Sequence, residues 1–240
     1  MEYSDGATVV SRVGGSPYEF YGLQADGVYA TQAEADKANL VNSSMQAYQA
    51  GDVRFIDQNN DGRIDIKDRI SLGSAAPDYF GGFYTNFRYR HFALSAEFAY
   101  SKGNKAYNAV RRTLESASSF SNQSVAVSNR WSVEGQVTDM PRATFGDAIG
   151  NNNFSSRWIE DASYLRIKNI TLSYNFDKPI WNFFRSGTIY VTGENLLTAT
   201  KYLGLDPEFA YSSSDNATQG FDYAKVMQPK SVKLGINLKF

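Results

Sequence analysis

Apolar and polar residues take strict turns over the last stretch of the chain. Val232, Leu234, Ile236, Leu238 and Phe240 alternate with Ser231, Lys233, Gly235, Asn237 and Lys239. A period of two sends one set to each face of a β-strand. A run of about ten residues also matches a tilted membrane-crossing strand and exceeds the usual soluble strand. The pattern recurs upstream. Residues 163–176 end with Ile170, Leu172, Tyr174 and Phe176 opposite Asn169, Thr171, Ser173 and Asn175. Residues 92–101 set Phe92, Leu94, Ala96, Phe98 and Tyr100 against Ala93, Ser95, Glu97 and Ala99, and residues 82–90 alternate in the same way. The pattern over 187–196 is weaker. Less regular strands are predicted over 7–13 and 18–30, and all six prolines fall between these runs, as strand interiors require.

Connection lengths add a second pattern. The 82–90 and 92–101 runs are joined at His91 with almost no loop, and 177–186 is short, whereas 31–81, 102–162 and 197–230 are long. Alternation of tight turns with large loops is the signature of a bacterial outer-membrane barrel, in which the long loops lie outside the cell. Within the loops, Thr31-Gln32-Ala33-Glu34 reads as a capping box opening a helix toward Tyr48, and 105–117 has helical character. Asn151-Asn152-Asn153 and Ser212 to Asn216 read as exposed loop tips.

Composition narrows the chemistry. The 240 residues contain no cysteine, one histidine and a net charge of −1. Disulfides, thiolate metal sites and paired-histidine sites are thereby excluded, and a nucleic-acid surface is disfavoured. No catalytic residue is assigned: His91 has no partner suggesting catalysis, and Glu160 and Asp161 point to opposite faces of an extended chain. The N-terminal residues show neither the basic nor the apolar region of a signal peptide. No apolar run is long enough for a membrane helix, and mean hydropathy is −0.43; barrel strands escape that test because their two faces average out. The 16 Tyr and 16 Phe suit the aromatic girdles of a membrane barrel, with Tyr100, Tyr174 and Phe240 as candidates. Loop aromatics Trp131, Tyr202, Phe209 and Tyr211 are candidate ligand contacts.

The sharpest local motif lies within 51–73. Counted as a twelve-residue calcium loop, Asp57, Asn59 and Asp61 take positions 1, 3 and 5, Gly62 the turn, Arg63 the carbonyl ligand, and Asp65 and Asp68 positions 9 and 12. The Asp in place of the bidentate Glu makes it dockerin-like, and the strand-like Gly51–Phe55 before it is unlike a sensor EF-hand. A structural calcium ion is expected; the alternative is an Asp/Asn-rich turn held by its own hydrogen bonds.

Several segments, in order, carry a family resemblance. They are Phe20-Tyr21-Gly22 with Asp26-Gly27, Gly51-Asp52-Val53-Arg54-Phe55, Asn129-Arg130-Trp131, and Trp158 through Asn169. They continue with Gly193-Glu194-Asn195-Leu196, Lys201-Tyr202 with Asp206-Pro207-Glu208, and Gln228-Pro229 before the terminal strand. In these the chain resembles the C-terminal part of the SusC/RagA family of TonB-linked outer-membrane transporters. The resemblance implies an all-β fold, the last strands of an antiparallel barrel of about 22 strands, with the plug and earlier strands lying outside residues 1–240. It implies import of oligosaccharides or peptides beside a SusD-like surface lipoprotein, energised through TonB, with outer-membrane lipid around the wall. It also implies that the terminal strand (Val232, Leu234, Ile236, Leu238, Phe240) is the signal read by barrel-assembly machinery. Substrate-binding residues are not identified. Two alternatives stay open: a small stand-alone outer-membrane barrel, and a soluble calcium-binding adhesion module.

Overall fold

The computed structural model describes residues 6–176, 185–209 and 219–239. The chain divides into two compact units, Pro77–Gly103, Ala162–Glu208 and Val226–Phe240 forming one, and Met1–Ala76, Asn104–Asp161 and Phe209–Lys225 the other.

The first unit is a single antiparallel sheet. Its strands are Tyr79–Tyr89, Phe92–Lys102, Tyr164–Phe176, Ser186–Thr200 and Ser231–Lys239, hydrogen-bonded in chain order. We refer to them as the first to fifth wall strands. Register carries the alternation of each strand across the whole sheet. Leu234 pairs with Val191, Val191 with Leu172, Leu172 with Leu94, and Leu94 with Phe87. One row further along, Ile236, Ile189, Tyr174, Phe92 and Tyr89 align in the same way. One face is therefore continuously apolar, and its side chains stand exposed: Leu234, Leu172 and Phe87 are 77%, 46% and 67% accessible. A water-soluble sheet would bury that face, whereas lipid makes exposure favourable. No helix among the described residues is long and apolar enough to cross a membrane.

A bulge keeps the pattern intact. Between Ile167 and Asn169 the third strand carries one extra residue, Lys168, relative to the second strand. Without that insertion, Leu165 and Ile167 would turn to the polar face; with it, they face the same side as Ile170 and Leu172. Two glycines are covered by aromatic rings across the strand pair. A Cβ on Gly235 would stand 2.2 Å from the Tyr190 ring, and one on Gly187 2.3 Å from that of Phe176.

The second unit folds the remaining segments around two apolar clusters. One gathers Val9, Phe20, Tyr107, Phe154, Trp158 and Phe221; the other gathers Leu23, Tyr29, Tyr48, Val53, Phe55, Ile64 and Ile149. Short sheets frame them: Val9–Val10, Glu19–Leu23 and Arg69–Ser74 in one, and Ile159–Asp161, Lys105–Asn108 and Phe221–Asp222 in another.

Several expectations are corrected here. The strands predicted over 7–13 and 18–30 are not wall strands: they shorten to Val9–Val10, Glu19–Leu23 and Ala25–Val28, and Glu19–Leu23 is buried almost throughout instead of alternating. The helix opened by Thr31 ends at Ala38, because Asn39 takes a left-handed φ of 50°. Thr31 Oγ1 accepts the Glu34 amide, but Glu34 reaches back to the Ala30 amide, one residue earlier than a capping box requires. Residues 105–108 form a strand, and the helix is confined to Ala109–Leu114. Asn151 is buried, not at an exposed tip; it accepts the Val53 amide and donates to Asp52. Ser212–Asn216 lie outside the described residues.

Candidate functional site

The polar face of the wall is built by the residues between those of the apolar rows. Thr171 and Thr192 face each other across two strands with hydroxyls 2.8 Å apart. Glu194 takes the Lys233 ammonium at 2.5 Å and the Ser231 hydroxyl at 2.7 Å on the neighbouring strand. Tyr84, Asn86, Ser95, Glu97, Ser173 and Asn237 line the same face by register. The surface thus presents hydroxyls, amides and paired charges, the lining expected of a water-filled lumen.

Near one end of this face lies a charge cluster that sequence reading overlooked. Arg166, only 3% accessible, donates through Nη1 to Glu208 at 2.9 Å, through Nη2 to Asp206, and through Nε to Thr198 Oγ1 at 2.9 Å. The bulged Lys168 also reaches Glu208. Asp206 further accepts the Glu208 and Gln228 amides. Burial works to raise the Asp206 pKa, but its bonds to Arg166 and these amides outweigh that and hold it below the usual carboxylate value. The cluster pins the 201–209 segment to the third strand. The Asp206-Pro207-Glu208 motif was legible, but not its partner.

The acidic loop places its predicted ligands on its own backbone. Asp57 accepts the Asn60 and Gly62 amides, Asn59 the Asp61 amide, and Asp61 the Arg63 amide. Asp65 accepts the Lys67 amide, and the fully buried Asp68 accepts the Gln58 and Asp65 amides. Arg63 donates to the Ser43 carbonyl and lies 3.6 Å from Asp65. Hydrogen bonding from Asn59, then from the Arg63 amide, with Lys67 nearby, lowers the Asp61 pKa. Among the described residues, no three Asp, Glu or His side chains converge as a metal-ligand group.

Elsewhere in the second unit, Asp52 is fully buried and takes Arg142 through two bonds of 2.8 and 3.1 Å, with Asn151 and the Gln49 amide completing its shell. The guanidinium groups of Arg157 and Arg111 both approach the Trp158 ring, 4.6 and 5.4 Å from its centre. Burial, with Arg111 adjacent, pulls the Arg157 pKa down to about 10. Two loop aromatics proposed as ligand contacts are structural instead: Tyr202 is buried, and Trp131 bonds the Ala30 carbonyl and packs on Gly51. Phe209 is half-buried, and Tyr211 lies outside the described residues. Of the terminal-strand signal, Val232, Leu234, Ile236 and Leu238 all stand on the apolar face, while Phe240 lies outside the described residues. Tyr174 is exposed at one end of that face, and Tyr100 lies toward the other.

Comparison with known proteins adds to this picture. No family model matches the chain. Two TonB-dependent receptors of Formosa agariphila are each 31% identical to it, over 233 and 239 residues, covering 95% and 97% of the chain. The TonB-dependent receptor SusC of Bacteroides thetaiotaomicron is 26% identical over 250 residues. In each case the match occupies 23% of the relative, so the chain spans about a quarter of the length of these proteins. Among solved structures, the RagAB peptide importer in its closed-closed state superposes over the entire chain with a TM-score of 0.71 at 23% identity, using 24% of its own chain. The fold is thus that of a stretch of TonB-dependent barrel wall with its long loops.

Proposed function

We propose, for a chain that belongs to the SusC/RagA family of TonB-dependent receptors, that its five-stranded sheet is a stretch of an outer-membrane barrel through which nutrients enter the cell. The observation that carries this reading is the apolar face, continuous across five strands and open to the surroundings. Residues 1–240 are read as the C-terminal part of the barrel. The long connections all leave the sheet from one end, after Lys102 and Thr200 and before Tyr79, Tyr164 and Ser231, and we place that end outside the cell.

The finer reading follows from the same premise. The solute is an oligosaccharide or peptide, delivered with a SusD-like surface lipoprotein, and the energy comes through TonB. Support comes from the polar face, whose hydroxyls and amides suit a hydrated solute, and from the likeness to a peptide importer. Passage breaks no covalent bond, so no residue is given a catalytic role.

Single cysteines in the full-length receptor, on a background without others, test the placement. Lys233→Cys should react with a hydrophilic maleimide in outer-membrane vesicles, and Leu234→Cys only with a lipid-soluble one. Equal labelling of both by the hydrophilic reagent would reject it.

A second reading concerns the acidic loop, for which we propose a structural calcium ion. Its support is the spacing of Asp57, Asn59, Asp61, Arg63, Asp65 and Asp68. Each carboxylate oxygen that accepts one amide keeps a second lone pair, although Asp57, Asp61 and Asp65 must draw closer to share an ion. Calorimetric titration of the receptor with calcium tests it.

A further inference from the structure

At the loop end of the apolar face, the strand alternation runs on past the last apolar row, and its next positions carry lysine. That last row is Tyr100, Leu165 and Ala199, joined by cross-strand pairing, with Gly81 beside Tyr100 on the first strand. Two residues further out, the same side of each strand carries Tyr79, Lys102, Ser163 and Lys201. Tyr79 pairs directly with Lys102. Ser163 lies between the two lysines: its hydroxyl accepts the Gly103 amide at 3.0 Å, and its carbonyl accepts the Thr200 hydroxyl at 2.8 Å. The second, third and fourth strands therefore still run side by side at this level. Lys102 and Lys201 stand two strand spacings apart, about 10 Å, and both are exposed. They sit on inner strands of the sheet and on the face turned to lipid, which neither a plug nor further wall strands cover.

Height decides what they meet. At about 3.3 Å per residue and a tilt near 40°, two residues raise this row about 5 Å beyond the Leu165 row that bounds the apolar band. The headgroup layer occupies about 5–7 Å on each side of the hydrocarbon core, so the row lies within it. A lysine at that level lays its methylene stem along apolar surface and lifts its ammonium to the headgroups. Tyrosine rings favour the same depth. Tyr100 lies across Gly81, where a Cβ would stand 2.9 Å from its hydroxyl, and Tyr79 meets its edge with ring centres 6.3 Å apart. Two ammonium groups spaced in this way can close on one phosphate from either side, each as a compact point charge with three donors.

We infer that Lys102 and Lys201 form a docking site for the phosphate of an anionic lipid headgroup in the outer leaflet. The site presupposes the lipid-facing placement proposed above, and adds to it a preference among lipids. A lysine beside anionic lipid strengthens attachment by about fivefold, so the pair is expected to favour an anionic headgroup by about 25-fold.

The test is calorimetric titration of the purified full-length receptor in neutral detergent with mixed micelles of dimyristoyl phosphatidic acid, dimyristoyl phosphatidylcholine serving as the uncharged-headgroup comparison and pyrophosphate as the free anion. Saturable binding of phosphatidic acid is expected, with the other two at least tenfold weaker. Lys102→Gln with Lys201→Gln should weaken it by about 25-fold, and added salt should weaken it in the wild type. Lys102→Arg with Lys201→Arg should retain it, as should Lys233→Gln, which alters a lysine of the polar face. Insertion into phosphatidylcholine vesicles, followed by heat-modifiable mobility, establishes that each variant is folded and separates the two readings. Normal insertion without a preference for phosphatidic acid overturns the site and leaves the lipid-facing placement standing; failure of the wild type to insert overturns both. Undiminished affinity in the glutamine pair, an equal loss in Lys233→Gln, or pyrophosphate binding as tight as that of phosphatidic acid also overturns the site.

Discussion

Placing an arginine at Leu172 and, separately, at its neighbour Ser173 tests which side of the wall meets lipid. Leu172 is on the central strand, paired on both sides with Val191 and Leu94, and its side chain is 46% accessible. Ser173 points to the other face, its hydroxyl bonded to the Ala93 carbonyl. The apolar positions of this strand run from Leu165 to Phe176; at about 3.3 Å per residue and a tilt near 40°, they rise through roughly 25 Å, the height of a barrel's lipid band. Leu172 sits about 4 Å from the middle of that rise, where an arginine on the lipid side costs about 2–4 kcal/mol. At about 1.4 kcal/mol per factor of ten, Leu172→Arg should shift the balance between inserted and non-inserted barrel by roughly 30- to 700-fold. Ser173→Arg projects into water and should cost within about 1 kcal/mol. The assay is the folded fraction of full-length receptor, read by heat-modifiable mobility after insertion into phospholipid vesicles across a urea series. Equal losses, or a greater loss for Ser173→Arg, would mean that the apolar rows face protein, and the membrane reading would fall.

Other perturbations probe the remaining parts. Arg166→Ala strands the buried Asp206 and should cost about 3–5 kcal/mol locally, seen as protease sensitivity of the 201–209 segment; unchanged digestion would show that the cluster does not pin it. Because the folded Asp206 pKa is lowered, its stabilisation is complete above the unfolded carboxylate value and is lost as pH falls through the folded one. Hydrogen exchange at the Glu208 and Gln228 amides should therefore gain a further opening below about pH 4, and stay protected through neutral and mildly alkaline pH. Arg142→Gln removes the bidentate partner of Asp52; as Arg142 is partly exposed, a loss of about 2–3 kcal/mol is expected, measured by thermal unfolding followed through Trp131 fluorescence. Asp57→Ala combined with Asp61→Ala should abolish calcium uptake by the acidic loop, and heats equal to wild type would leave only the self-bonded turn.

The wall was legible in the sequence because its two solvents differ along the whole strand. Where lipid lies on one side and water on the other, each residue is sorted by its own side chain, and alternation survives in Val232 to Leu238 and in Phe92 to Tyr100 with no knowledge of the neighbours. The third strand shows the limit of that reading. Its alternation changes phase at Lys168, and only pairing with Phe98 and Glu97 reveals an extra residue. The second unit was harder, since its segments are buried on several sides and their conformation depends on distant partners. Lys105–Asn108 has helix-forming composition yet is a strand, because Ile159–Asp161 lies on one side of it and Phe221–Asp222 on the other. Asn151 looked like a solvated tip, yet its amide side chain serves a backbone amide 98 positions away. The same dependence on distant partners governs the charge cluster on the polar face. Arg166 and Asp206 are 40 positions apart, so their pairing leaves no local motif. That cluster is closed by its own carboxylates and holds the 201–209 segment in place.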